Sequence, residues 1–291
     1  MKILVCGAHG QLGHDVSTLL AKNHEVIPCS SQDLDIGNTR MVEKLTNTHQ
    51  PQVIINCAAY TAVDNCETEK ELAWRVNALG PENLAVSAET IRSRLIHIST
   101  DYVFDGKKAT NESYLESDRV QPLSEYGKSK LAGEDAIMQF SSNPLIMRTA
   151  WLYGHSGNNF LKTMLRLALA DPARELKVVN DQYGSLTWTG SLARQIENVL
   201  TAEIKGIVHA TATGSSTWYE GACYFLDAMN VPYSLAPCTT AEYPTPAHRP
   251  SNSILENKRL DEAGLSVLQS WQEDIDSFVK AHGEYLLKEL S

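Results

Sequence analysis

Tyr126 and Lys130, in Tyr126-Gly127-Lys128-Ser129-Lys130, stand four residues apart. On a helix that spacing places both side chains on one face, one turn apart. A lysine ammonium beside a phenol favours the phenolate, so the pair predicts a tyrosine drawn down from its reference pKa of about 10 toward working pH. Such a tyrosine can exchange a proton with an alcohol or ketone oxygen. A second constellation is G-x-x-G-x-x-G at Gly7, Gly10 and Gly13, between an apolar run and a helical pattern. Glycine there permits a tight turn and a close approach of backbone to pyrophosphate, and the helix N-terminus favours the anion. Three glycines can also be ordinary turn chemistry, but the strand–turn–helix context favours a dinucleotide. With Ser99-Thr100 at the end of another apolar run, these residues suit redox chemistry at a carbonyl. The acidic residue expected about 20 positions beyond the glycines, for ribose hydroxyls, is not singled out. Pro28-Cys29-Ser30 is neutral, and Asp33 and Asp35 follow in what reads as loop, so NAD and NADP are not distinguished.

Positioning these groups requires a scaffold, and the first half of the chain supplies a regular one. Strands are predicted at Ile3–Cys6, Glu25–Ile27, Val53–Ile55, Leu95–Ile98 and Leu145–Met147. Helical patterns cover Gln11–Ala21, the stretch about Met41–Leu45, Glu69–Ile91 and Ser124–Phe140. Continuous apolar strands separated by amphipathic helices predict a doubly wound α/β fold, a parallel Rossmann sheet buried on both faces. Ligands of such sheets sit beyond the C-terminal strand ends. Later helices are predicted at Asn159–Leu169, Leu192–Leu200, Trp218–Met229 and Trp271–Leu287, with strands at Leu176–Val179 and Gly206–His209. The expected division is a dinucleotide-binding domain over 1–150 and a smaller, interleaved C-terminal substrate lobe over 151–291, some of whose elements return to the sheet.

Composition narrows the partners. The 291 residues are 43% hydrophobic and 21% charged, which excludes disordered and low-complexity classes. With 25 Lys+Arg against 35 Asp+Glu the net charge is -10, and an acidic chain without a basic cluster predicts no nucleic-acid partner. No apolar run approaches the roughly 18 residues of a membrane span, and the N-terminal apolar stretch is too short for a signal peptide. No membrane and a cytoplasmic location are expected. Six cysteines without C-x-x-C spacing read as reduced core residues.

The glycine spacing and the Tyr–Lys pair resemble the extended short-chain dehydrogenases/reductases, and among them the dTDP-4-dehydrorhamnose reductase family. The resemblance runs through Gly7-Ala8-His9-Gly10-Gln11-Leu12-Gly13, Asn56-Cys57-Ala58-Ala59-Tyr60-Thr61-Ala62-Val63-Asp64 and Ser99-Thr100-Asp101-Tyr102-Val103-Phe104-Asp105-Gly106. It continues in Tyr126-Gly127-Lys128-Ser129-Lys130, Arg148-Thr149-Ala150-Trp151, Asn158-Asn159-Phe160, Asp181-Gln182-Tyr183-Gly184 and Arg249-Pro250. It implies NADPH or NADH as cofactor and a sugar nucleotide as substrate. By it, Gly7, Gly10, Gln11, Leu12 and Gly13 would cradle the pyrophosphate, and Asp35 and Ile36 would flank the adenine. Ala59, Tyr60 and Thr61 would line the cofactor. Tyr126 would donate the proton, Lys130 would activate it and anchor the nicotinamide ribose, and Thr100 would polarise the carbonyl. Tyr102, Val103 and Trp151 would contact the sugar nucleotide, with Asn159 and Arg249 near its diphosphate.

Plainer readings stand beside these. Asp64 can simply begin a helix, Trp151 can be core, and Asn77 can be a polar residue inside a helix or a brace for the site. Arg249 can be a surface arginine, although an acidic protein that binds a diphosphate needs some cation. His97 reads as strand packing. Two departures from the family pattern matter. Ser185-Leu186-Thr187 lacks the usual proline, which predicts a less rigid loop. The resemblance also implies a homodimer with Mg2+ at its interface. No carboxylate occupies Trp188-Thr189-Gly190-Ser191, so the residues themselves predict no metal.

The implied activity is reduction of the C4 ketone of dTDP-4-dehydro-L-rhamnose to dTDP-L-rhamnose. Two alternatives belong to other classes: a non-catalytic nucleotide-binding regulatory subunit, and a sugar-nucleotide epimerase or dehydratase. Similar dehydratases carry Asp-Glu after the strand-end threonine. Thr100-Asp101-Tyr102 instead offers a phenol, a poor base at neutral pH.

Overall fold

Residues 1–290 are described by the structure, a computed structural model. Strands β1 (Lys2–Cys6), β2 (Glu25–Cys29), β3 (Val53–Asn56), β4 (Arg94–Thr100) and β5 (Pro144–Thr149) alternate with helices. The helices of this half are α1 (Gln11–Leu20), α2 (Thr39–His49), α3 (Val63–Cys66), α4 (Lys70–Trp74), α5 (Gly80–Thr90) and α6 (Glu125–Phe140). Then come α7 (Phe160–Ala170), α8 (Thr189–Val199), α9 (Trp218–Ala228), α10 (Lys258–Glu262) and α11 (Trp271–Leu290).

The central sheet has six parallel strands in the order Gly206–His209, β5, β4, β3, β1, β2. Every residue of β3 and of β5 is buried, which is why Val53–Ile55 and Leu145–Met147 read as unbroken apolar runs. Side chains alternate between two cores. Ile3 and Val5 meet Val16 and Leu20 of α1 and Leu192 and Ile196 of α8. Leu4 and Cys6 meet Val42 of α2, Leu84 and Ala88 of α5 and Ile137 of α6. Two elements from the second half, Gly206–His209 and α8, thus share the layers of the first. Helices α7, α9 and α11 build a separate core around Leu165, Phe225 and Phe278.

The chain leaves β1 for β2 on one side and returns to β3 on the other. The order therefore reverses between β1 and β3, and the loops beyond their C-terminal ends diverge into a crevice. Gly7 makes the first turn at φ +74, and a Cβ on it would lie 2.7 Å from the Ala58 nitrogen of the other loop.

Among the helices, the third prediction is corrected. The pattern over Glu69–Ile91 is not a single regular helix: α4 and α5 are joined by a π turn at Arg75–Leu79. Pro81 has no N–H to offer the Asn77 carbonyl, so the ladder widens one turn earlier.

Candidate active site

A cavity of about 470 Å³ opens beyond β1, β3 and β4. Gly10, Gln11, Leu12, Ala59, Thr61, Thr100, Tyr102, Tyr126, Lys130, Trp151 and Asn159 line it. An adjoining cleft of about 640 Å³ shares Gly10, Cys57 and Ala59 with it and is walled by Gly7, Asp35, Ile36 and Tyr60. A long ligand could span both. Three residues expected at the site are not on these walls. Gly13 packs its backbone against the Gly7 carbonyl. Val103 closes the 3-10 turn Asp101–Val103, which leaves its side chain wholly buried with Phe104, Tyr114 and Leu255, so the expected sugar contact is corrected. Arg249 gives both terminal nitrogens to the Asp64 carboxylate, at 3.1 and 2.9 Å.

Tyr126 lies in the first turn of α6, where the Ser124 hydroxyl caps the helix by accepting the Gly127 N–H at 3.1 Å. Its ring meets Tyr102 edge to face, centroids 5.5 Å apart. Lys130 follows one turn on and is buried, its Nζ 2.7 Å from the Ile98 carbonyl and 3.1 Å from His97 Nε2. The amine thus turns toward β4 rather than toward the phenol. That corrects the expected pKa. Burial pushes the Tyr126 phenol up, and Asp101 and Tyr102 add to the rise, while a hydrogen bond with Thr100 opposes it. Burial lowers Lys130 to about 8. A phenol that keeps its proton is in the form that can give one away. Thr100 Oγ1 accepts the Tyr102 N–H at 3.2 Å and donates to Asp101 Oδ1 at 2.9 Å. Burial pushes that carboxyl up to about 6.

The π turn explains Asn77. Its Oδ1 accepts the Tyr60 N–H at 2.8 Å, and its Nδ2 donates to the Tyr60 carbonyl at 3.0 Å and to Ser129 Oγ at 3.1 Å. One side chain thus fastens the loop after β3 to α6, the brace of the two readings. Asn159 does similar work across the chain's halves. Its Oδ1 caps α7 at Lys162 N, and its Nδ2 donates to Gln11 Oε1 at 3.0 Å. Asp64 stands in the first turn of α3 as well as pairing with Arg249.

Two wall residues, Trp218 and Arg75, carried no sequence signal. Trp151 holds a left-handed backbone at φ 48, a costly conformation for a bulky residue. Its indole stacks on Trp218 with centroids 3.7 Å apart, and both line the cavity. Trp218 begins α9, and its place in the sequence marks only the start of a helical pattern. Arg75 pairs with Asp35 at 2.5 Å and faces the cleft with it, setting a cation beside an anion on that wall. The segment without proline is held by hydrogen bonds instead. Ser185 Oγ donates to the Gly214 carbonyl at 2.6 Å, and Thr187 Oγ1 accepts the Ala212 N–H at 3.1 Å. Outside the cavity, His14, Asp15 and His155 bring ligand-type atoms within 4.8 Å of one another. That grouping across distant segments escaped the sequence reading, and its two imidazoles suit transition ions better than magnesium.

Residues 1–283 match the family model described as RmlD substrate binding domain. A dTDP-4-dehydrorhamnose reductase of Aggregatibacter actinomycetemcomitans is 40% identical, covering 97% of this chain and 99% of that protein. The crystal structure of a dTDP-4-dehydrorhamnose reductase from Clostridium acetobutylicum is similar at TM-score 0.93 and 44% identity, over 97% of this chain and 99% of that one. A dTDP-4-dehydrorhamnose reductase from Bacillus anthracis, solved in complex with NADP, is similar at TM-score 0.93 and 36% identity, over 96% of this chain and 99% of that one.

Proposed function

This chain belongs to the RmlD substrate binding domain family, and from that premise we propose that it is an NAD(P)H-dependent reductase converting the C4 ketone of dTDP-4-dehydro-L-rhamnose into the alcohol of dTDP-L-rhamnose. The observation that carries the reading is that Tyr126, Lys130 and Thr100 share one cavity, which opens directly into the glycine-lined cleft. The cleft fits a dinucleotide. An added Cβ on Gly10 would meet only the Gly7 carbonyl, at 3.2 Å, so the absent side chain leaves room at the N-terminus of α1. Gly7, Gly10, Gln11 and Leu12 would hold the pyrophosphate, Asp35 and Ile36 the adenosine, and Ala59, Tyr60 and Thr61 the stretch toward the nicotinamide. The reduced nicotinamide of NADPH or NADH supplies a hydride when bound.

The chain's own residues handle orientation and the proton. Tyr126 keeps its proton on Oη and gives it to the carbonyl oxygen as negative charge develops there. Thr100, beside it, hydrogen-bonds the same oxygen, and Lys130 anchors the cofactor ribose. Tyr102 and Trp151 face the sugar, with Trp218 behind Trp151. Asn159 and Arg249 serve the diphosphate, the latter only by loosening its grip on Asp64. A dehydratase is disfavoured because Tyr102 stands where a carboxylate base would be needed, and burial and Asp101 raise its phenol further. No helix of the described residues is long and apolar enough to cross a membrane. We place the enzyme in the cytoplasm as a homodimer acting on a small sugar nucleotide. Mixing the protein with NADPH and the keto sugar nucleotide tests the reading: cofactor oxidation and product formation should match one to one. Product without cofactor loss would overturn it.

A further inference from the structure

A line of hydrogen bonds runs from the loop after β3 to Lys130, and its direction is fixed at one end. The Ala58 N–H donates to Asn56 Oδ1 at 3.0 Å. That orients the amide, because turning it over would set an NH2 group against the Ala58 N–H. Asn56 Nδ2 then faces His97 Nδ1 at 2.9 Å and donates to it. An imidazole nitrogen that accepts a hydrogen bond carries no proton, so the proton of a neutral His97 sits on Nε2. The ring is wholly buried, and burial holds its pKa well below the usual value, in the neutral form. Nε2 lies 3.1 Å from Lys130 Nζ. An Nε2–H can bond that nitrogen only where a lone pair waits. An ammonium has none.

We infer that Asn56 and His97 are positioning residues that weaken the hold of Lys130 on its proton in the ligand-free protein and favour its neutral amine at a lower pH than that of ordinary lysines. Its Nζ accepts from His97 and donates to the Ile98 carbonyl at 2.7 Å. The charged and titratable groups around it do not reverse this. Glu134, one turn further along α6, and Cys57 after β3 favour the ammonium, and burial outweighs them. The Glu134 carboxylate is already bound by Arg148 of β5 at 2.6 Å and by Ser99 Oγ of β4 at 2.5 Å. Tyr126, one turn before Lys130, is itself held protonated by burial. Loss of the Lys130 proton near 8 withdraws a cation from the neighbourhood of that phenol, so Tyr126 holds its own proton more firmly as pH rises through this range. In that consequence the inference deepens the reductase reading and rests on it. The state of Lys130 itself is measured without substrate, so either idea can fail alone.

The test is nuclear magnetic resonance on the ligand-free protein carrying 15N-histidine and 13Cε-lysine, with Lys130 assigned by its loss in Lys130→Arg. His97 should be the Nε2–H tautomer, and Lys130 should titrate near 8, clear of ordinary lysines at about 10.4. In Asn56→Asp a carboxylate oxygen would accept from Nδ1–H. The tautomer should switch, and the proton affinity of Lys130 should rise at least tenfold. If that variant does not fold, His97→Phe should raise Lys130 in the same direction without adding a charge. An Nδ1–H tautomer in the parent would overturn the inference, as would a Lys130 that titrates with the other lysines. A Lys130 unmoved in either folded variant would also overturn it. Absence of reductase activity would overturn the functional reading and leave this titration standing.

Discussion

Tyr126→Phe removes a single oxygen from the site. The ring itself is held by Cys66 and Ala73 and by its edge contact with Tyr102, 5.5 Å between centroids. Phenylalanine keeps all of that. The lost hydrogen bond with Thr100 is offset because the phenol no longer has to be desolvated, so stability should stay within about 1 kcal/mol. Of the groups assigned to the cofactor, Gly7, Asp35 and Ile36 lie in the neighbouring cleft, and the backbone of Gly10, Gln11 and Leu12 keeps its place, so the dissociation constant should hold within about twofold. Turnover is the quantity that should collapse. A positioned general acid is worth about 10²–10⁴-fold, which at about 1.36 kcal/mol per decade is roughly 2.7–5.4 kcal/mol of barrier. The assay pairs steady-state oxidation of the reduced nicotinamide, followed by its absorbance, with cofactor titration by fluorescence and a melting curve on the same preparation. Turnover within tenfold of the parent would refute the assignment of Tyr126 as the proton donor. Loss shared equally between turnover and cofactor affinity would refute the division of labour between cavity and cleft.

Gly10→Val should fold normally, since only the Gly7 carbonyl at 3.2 Å is crowded, yet lose at least about tenfold in cofactor affinity by filling the pyrophosphate site; full affinity by calorimetry would show the glycine to be turn chemistry alone. Asp101→Asn should stabilise the protein at neutral pH. Burial raises the Asp101 pKa from 3.8 to about 6, so ionising the carboxylate costs folding stability on the order of 3 kcal/mol at most. That cost is absent below the unfolded pKa, grows as pH rises to the folded pKa, and is complete above it; urea unfolding across this range should show the variant's advantage vanish in acid, and a larger advantage in acid would reverse the sign. With dTDP-glucose as the only substrate the enzyme should eliminate no water, because Tyr102 cannot serve as the C5 base; a 4-keto-6-deoxy product by mass spectrometry would contradict that.

The sheet was legible because its central strands are buried on both faces and so repeat apolar residues without a polar phase, while the helices between them keep one apolar stripe. The glycine turn and the Tyr126–Lys130 pair were legible for a similar reason, since their chemistry depends on local spacing. Spacing says which face a side chain occupies and not where its far end turns. The amine of Lys130 goes to His97 and Ile98 on β4, and the expected fall in the Tyr126 pKa reversed. The π turn was hidden because apolar periodicity runs through it, and its functional product, the Asn77 brace, became visible only with Tyr60 and Ser129 placed. Trp218 and Arg75 reach the site from elements whose relation to the glycine loop is purely tertiary. Val103 differs for the opposite reason: Thr100, Asp101 and Tyr102 of its motif line the cavity, while the 3-10 turn carries Val103 past the wall into the small core of Phe104, Tyr114 and Leu255.

Hydride transfer to carbon 4 is the centre of the account. The most direct measurement uses a nicotinamide cofactor deuterated at its transferable position, the dTDP-linked 4-keto sugar as substrate, and nuclear magnetic resonance of the product. One deuteron per molecule at C4 of dTDP-L-rhamnose, with an equal amount of cofactor oxidised, is the predicted result. Converted sugar bearing no deuterium, with the cofactor still reduced, would contradict it.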